Sequence, residues 1–257
     1  MTTDATETIL SDLDPDPIDI VNPDSRASVV LLCEHAGRAI PKSLGNLGLS
    51  EAVINSHRGW DIGAQVVARS VAARLNAPLV LQNYSRLLID ANRPPEGPHA
   101  ITTEVDGVPV PGNMAISPKE RTQRVTEIFL PMDTALSELF ARSPRSACFS
   151  IHSFNPTLGG GDVRPWDAGF LSRQDTDTAH DMMNVIAGQQ PALTLAVNQP
   201  YQIDDETDWF IPKHAESRQI AHALIEIRND NISTDDDCEM WAGLLTDAIS
   251  AVMEKQT

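Results

Sequence analysis

Two histidines carry the first chemical signal in the chain: His35, in Glu34-His35-Ala36-Gly37, and His152, in His152-Ser153-Phe154. Each follows an apolar run that reads as a buried strand, His152 directly after residues 147–151 and His35 one residue beyond residues 28–33. Imidazoles held at strand ends are ordinary zinc ligands, and a catalytic zinc takes three protein ligands while keeping one position open. Such an ion makes water acidic near pH ~7 instead of ~15.7, and a neighbouring glutamate can then carry the proton to a leaving amine. The chemistry in view is hydrolysis assisted by zinc or another divalent metal. Two carboxylates compete for the third ligand position. Glu34 adjoins His35, but strand alternation through both residues sends their side chains to opposite faces. Asp61, in His57-Arg58-Gly59-Trp60-Asp61, is therefore preferred, against the plainer reading of a carboxylate that favours a helix N-terminus.

Glu226 interrupts an apolar strand, Ala223-Leu224-Ile225-Glu226-Ile227. A buried carboxylate is costly unless paired. Two readings stand: an ion pair with Arg228, or a general base whose pKa is raised by its surroundings. Arg86, Asn92 and Arg93 gather donors in one short stretch. Arginine takes a carboxylate through two parallel hydrogen bonds, so the functional reading is recognition of a small carboxylate substrate, and the plain one is surface ion pairs. His214 and the residues after Gly159-Gly160-Gly161 are further candidates for substrate contact. That glycine run reads as a mobile loop. Pro165 and Trp166 follow it where a phosphate cradle needs a helix start, so nucleotide binding is not expected.

The elements that must position these residues alternate along the chain. Strand patterns fall at 28–33, 78–82, 147–151, 193–197 and 223–227, with a short extended piece at 87–90. Helical spacing covers 61–75, where Ile62, Val66, Val67, Val71 and Leu75 share a stripe. Ser117-Pro118-Lys119-Glu120 opens a helix to about Arg142 with an N-cap, a proline at the first position and a capping-box glutamate. Further helices are expected over 175–188 and from a Thr234 cap to about Glu254. Alternation of this kind predicts a three-layer α/β fold, a mostly parallel or mixed sheet with helices on both faces. Sites in such folds lie at the carboxyl ends of the strands, where the polar residues named above fall.

A chain of 257 residues with 41% hydrophobic content has length and apolar side chains enough for one large domain. Residues 1–27 read as a partly ordered acidic arm, since residues 1–24 hold seven of the 36 acidic residues. Residues 28–257 read as a single domain. A net charge of −17 repels phosphate backbones, so neither nucleic acid nor an anionic membrane is an expected partner, and an anionic ligand needs a local arginine cluster. No apolar run approaches the roughly 18 residues of a membrane span. Cys33, Cys148 and Cys238 form no close pair, and the first two lie in apolar runs, which predicts reduced, inert thiols and a cytoplasmic protein.

Taken in order, Cys33-Glu34-His35-Ala36-Gly37, Trp60-Asp61-Ile62-Gly63-Ala64, Ser85-Arg86 through Asp90-Ala91-Asn92-Arg93, Ile151-His152-Ser153-Phe154, Asn198-Gln199-Pro200-Tyr201 and Ile225-Glu226-Ile227-Arg228-Asn229-Asp230 form a set over residues 28–232. This set resembles the N-formylglutamate amidohydrolase family. The resemblance implies a fold similar to zinc carboxypeptidases and aspartoacylase-like deacylases, and hydrolysis of N-formyl-L-glutamate to formate and glutamate in histidine breakdown. It implies His35 and His152 as zinc ligands, Glu226 as the catalytic glutamate, and Asn92-Arg93 as the pair that holds the substrate carboxylate. Two positions depart from the pattern. Arg38 stands three residues after His35, where the His-x-x-Glu plan has a carboxylate, which leaves the third ligand to Asp61. Ala91 stands where leucine is commoner, a change of packing. Rival expectations are a deacylase or peptidase for a different amide, and a carboxylate-binding or sensor protein without turnover.

Overall fold

The computed structural model describes residues 8–157 and 161–256. Its elements in chain order are β1 (Ile18–Val21), β2 (Val29–Cys33), the single turn α1 (Glu51–Ile54), α2 (Ala64–Leu75), β3 (Leu79–Gln82), the hairpin β4 (Glu104–Val105) and β5 (Val108–Pro109), α3 (Pro118–Arg124), α4 (Leu130–Arg142), β6 (Ala147–Phe154), β7 (Ala168–Leu171), α5 (Thr176–Gln189), β8 (Leu195–Val197), β9 (Ala221–Arg228) and α6 (Asp235–Lys255). Seven strands form one sheet in the order β1-β3-β2-β6-β9-β7-β8. The central strands β3, β2, β6 and β9 run parallel, while β1 and β7 are antiparallel to their neighbours β3 and β9.

β2 is apolar at each position because both of its faces are covered. Val29, Leu31 and Cys33 enter the core under α2, α5 and α6, whereas Val30 and Leu32 enter the core under α4. The three-layer α/β class expected from the alternation is the one observed. Ser117 caps α3 by accepting from the Glu120 N–H at 3.1 Å. The Glu120 carboxylate turns to Arg124 Nη2 at 2.6 Å. Between α3 and α4 the backbone passes through a π-helical segment, Val125–Phe129. Thr234 caps α6 by accepting from the Asp237 N–H at 3.2 Å.

Two local expectations need correction, and β7 went unread. Residues 87–90 are not an extended piece: 86–88 form a turn, with the Leu88 N–H on Ser85 O at 2.9 Å, and 89–90 are irregular. Side chains satisfy their carbonyls in place of a strand ladder: Asn113 Nδ2 donates to Leu87 O at 2.8 Å and Arg124 Nη1 to Leu88 O at 2.9 Å. β6 runs three residues past Ile151, so His152 lies inside the strand. β7, four residues with a glycine, carries too short a pattern to be read.

Part of the acidic stretch is built into the molecule. β1 pairs along β3, Ile9 is buried, and the Ile9 and Leu10 N–H groups donate to Glu127. Residues 1–7 of the arm, and Gly159 and Gly160 of the glycine run, lie outside the described residues. Among the described residues no helix is long and apolar enough to cross a membrane.

Candidate active site

The parallel strands bring His35, His152 and Glu226 to one sheet edge. His35 follows β2 by two residues, and its carbonyl accepts from the Asp61 N–H at 3.0 Å, which fixes the chain before α2 against it. His152 and Glu226 are register partners on β6 and β9. The imidazole rings of His35 and His152 stand 4.8 Å apart, near perpendicular at 77°.

Asp61 lies between them. Its Oδ2 is 2.8 Å from His152 Nδ1 and 3.4 Å from His35 Nδ1, and it accepts from the Ser153 N–H at 3.2 Å. This carboxylate is turned to the imidazoles and not to the start of α2. All three donor atoms lie within 4.8 Å of one another and all three residues are buried. Burial opposes ionisation of Asp61, but the two imidazoles outweigh it and hold the carboxyl well below its ordinary range. Burial likewise opposes charge on His152, and Glu34 with Asp61 overrides it, so His152 titrates well above its ordinary value.

The outward nitrogens of both rings meet carboxylates. His35 Nε2 lies 2.7 Å from Asp90 Oδ1, and His152 Nε2 lies 2.8 Å from Glu34 Oε2. Glu34 also accepts from the Ser150 hydroxyl. His35 Nε2 is hydrogen-bonded to its carboxylate, the pattern that orients histidine ligands in metal sites, whereas His152 Nε2 lies near Glu34 without hydrogen-bond geometry; both rings present Nδ1 to the common centre. Two imidazole nitrogens and one carboxylate oxygen, buried and converging, fit zinc and similar divalent ions. Arg38 stands apart from this centre, its guanidinium 4.7 Å above the Trp60 ring.

Glu226 is buried and its Oε2 has no hydrogen-bond partner among the described residues. Arg228 does not pair with it. That guanidinium reaches Asp167 at 3.2 Å and Asp230 at 2.8 Å. Burial, the largest influence, pushes the Glu226 carboxyl up to about 7.

A cavity of about 550 Å³ opens over these groups, lined by His35, Asp61, His152 and Glu226 together with Arg58, Arg86, Asn92, Arg93, Arg164, Tyr201 and Asp208. Arg86 pairs with Asp90 at 2.8 Å and Asp61 at 3.5 Å. Arg93 lies 3.8 Å from Asp90. Asn92 spends its amide on structure, donating to Asp208 at 3.2 Å and accepting from the Trp209 and Phe210 N–H groups. His214 is buried against Asp133 at 2.7 Å and does not line this cavity. Of the residues after the glycine run, Arg164 does line it and donates to the Tyr201 hydroxyl at 3.0 Å. The sequence offers Glu34 only as a metal ligand and gives Asp90 and Arg58 no role, while Arg164 falls among the residues after the glycine run that are candidates for substrate contact. The one signal for the first two was their place within the Glu-His and Asp-Ala-Asn-Arg strings. Cys33 is buried and its thiol titrates well above its ordinary value, chiefly through burial, as an inert core thiol should.

An α/β sheet that ends in paired imidazoles, carboxylates and arginines at one cavity has the groups that metal-assisted hydrolysis needs. The model of the N-formylglutamate amidohydrolase family matches residues 27–233, and the chain belongs to that family. Among solved structures, a gene product of Agrobacterium tumefaciens, Atu2144, is similar over 97% of this chain and 100% of its own, at 32% identity and a TM-score of 0.90. The N-formylglutamate amidohydrolase of Ralstonia eutropha JMP134 shares the fold, at 18% identity and a TM-score of 0.71, over 95% of this chain and 100% of its own. No curated protein matches the chain.

Proposed function

We propose that the chain is a zinc-dependent amidohydrolase that removes the N-formyl group of a small acidic amino acid such as N-formyl-L-glutamate. The observation that supports this reading most is the convergence of His35 Nδ1, Asp61 Oδ2 and His152 Nδ1 beside an arginine-lined cavity. A zinc ion, or another divalent metal, held by these three side chains supplies a Lewis acid and lowers the pKa of water there. Glu226 accepts a proton from the attacking water and returns it to the departing amine as the amide C–N bond breaks, leaving formate and glutamate. Its buried, unpartnered oxygen suits that exchange, because a carboxyl near 7 both takes and gives a proton at neutral pH. Arg93 and Arg86 receive the substrate carboxylate. Asn92 serves them by tying their loop to residues 208–210.

The test is formate release from N-formyl-L-glutamate, measured beside N-acetyl analogues and with a chelator. Deacylation, read as formate or acetate respectively, should be faster for the formyl compound, stop on chelation and return with zinc. A zinc-loaded chain that releases no formate would overturn the substrate assignment.

A further inference from the structure

Asp90 differs from the other carboxylates at the site in what its two oxygens hold. Oδ1 lies 2.7 Å from His35 Nε2 and also accepts from the Asn92 N–H at 3.0 Å. Oδ2 accepts from Arg86 Nη2 at 2.8 Å and lies 3.8 Å from Arg93 Nε. One buried carboxylate therefore steadies an imidazole on one side and faces Arg86 and Arg93, two of the four arginines that line the cavity, on the other. Glu34 supplies the contrast. Its Oε2 lies 2.8 Å from His152 Nε2 as an ion-pair contact outside hydrogen-bond geometry and accepts from the Ser150 hydroxyl, and among the described residues no arginine pairs with it.

We infer that Asp90 is a positioning residue shared by two sites, holding His35 for the metal through Oδ1 and the arginines for the substrate carboxylate through Oδ2, while Glu34 positions His152 alone. The inference rests on the metal and carboxylate sites proposed above and adds a division of labour between two carboxylates. An imidazole whose outer N–H meets a carboxylate has a fixed ring angle and a more basic inner nitrogen. An arginine whose other donors are fixed presents its remaining ones without a search through rotamers. Removing Asp90 should disturb both sites, and removing the Glu34 charge only one.

Two readouts separate these effects: zinc affinity, by competition with a chromophoric chelator, and the dissociation constant of L-glutamate on zinc-saturated protein, by calorimetry. In E34Q zinc affinity should fall by about 10–100-fold, with glutamate binding within about twofold of the parent. In D90N zinc affinity should fall over the same range. Its glutamate dissociation constant should also rise about tenfold or more, because an amide N–H₂ turned to Arg86 cannot accept. R86Q should weaken glutamate and leave zinc bound at least as tightly, since it removes a cation beside the ion. It also carries the test of the arginine side if D90N does not fold, as judged by thermal melting. A merely structural Asp90 lowers the melting temperature and moves neither constant. D90N that binds zinc like the parent, or that matches E34Q in glutamate binding, overturns the assignment, as does a zinc-loaded parent that binds no glutamate. The substrate reading fails separately, on formate release.

Discussion

Glu226 owes its chemistry to where it sits on β9. Ile225 and Ile227 point into the core on the other face, and Glu226 shares its own face with His152 across the parallel ladder. A carboxyl so enclosed prefers to stay protonated, and burial lifts it to about 7. Glu226→Gln keeps the shape and removes the proton exchange proposed for this carboxyl. We expect it to retain zinc and to lose about 10²–10⁴-fold in kcat, measured by formate release and metal content on the same sample. The parent's kcat/KM should climb with pH as the carboxyl ionises. That limb should fall at or below 7, because a nearby dication favours the charged form, and it should be absent in the variant. Glu226 was legible in the sequence because it is a charge inside an apolar run, and the two histidines because they follow such runs. Asp90 was not, since its tie to His35 spans 55 positions and exists only once the loops after β2 and β3 meet.

Those two loops meet through backbone, with no room for a side chain at the crossing. A Cβ on Gly37 would come within 2.1 Å of Asn83 O. Around it, the Ala39 N–H donates to Asn83 O at 3.1 Å and the Ser85 N–H to Ala39 O at 2.8 Å. Gly37→Ala must push the loop bearing His35 away from the one bearing Arg86 and Asp90. Overpacking of this kind costs about 1–3 kcal/mol, and a shift near 1 Å can cost about 10²-fold in rate, so denaturant unfolding and kcat should both report it. Arg124, fully buried in α3, secures the far side of the same turn through Leu88 O, Gly112 O and Asn113 Oδ1. Arg124→Met strands those acceptors and should destabilise the fold by about 2–4 kcal/mol. The helices were legible from their stripes and caps, at Ser117 and Thr234 above all. The 85–93 turn was not, because distant side chains satisfy its backbone. β1 was passed over although Ile18, Ile20 and Val21 carry a strand pattern, because prolines and acidic residues flank it on both sides and its partner β3 lies some way along the chain.

At the scale of the whole molecule the site is a store of charge that burial resists and pairing sustains, so its protons should set the pH dependence of stability. In the metal-free protein Glu226 is raised from its ordinary 4.5 to about 7, which means the folded state holds a proton that the unfolded chain releases. Its contribution is complete below about 4.5 and declines as pH rises through 7. His35 and His152 are raised above 6.5 despite burial, through Asp90 and Asp61 for His35 and Glu34 and Asp61 for His152. Their contributions also stand below 6.5 and are lost as pH climbs through the raised values. Asp61 and Glu34, both lowered, act in the opposite sense, but only as pH falls through the acid range. All the terms that change between about pH 5.5 and pH 8.5 therefore point one way, and Tm in a chelator should fall across that interval. Zinc bound at the proposed site should reverse the trend. It binds imidazoles that have given up their protons, so its hold strengthens with pH, and a ligand confined to the folded state adds its binding energy to stability. The gap between zinc-loaded and metal-free Tm should widen steadily toward alkaline pH and narrow on the acid side. A gap that stays constant with pH would mean that the ion is not displacing protons from His35 and His152.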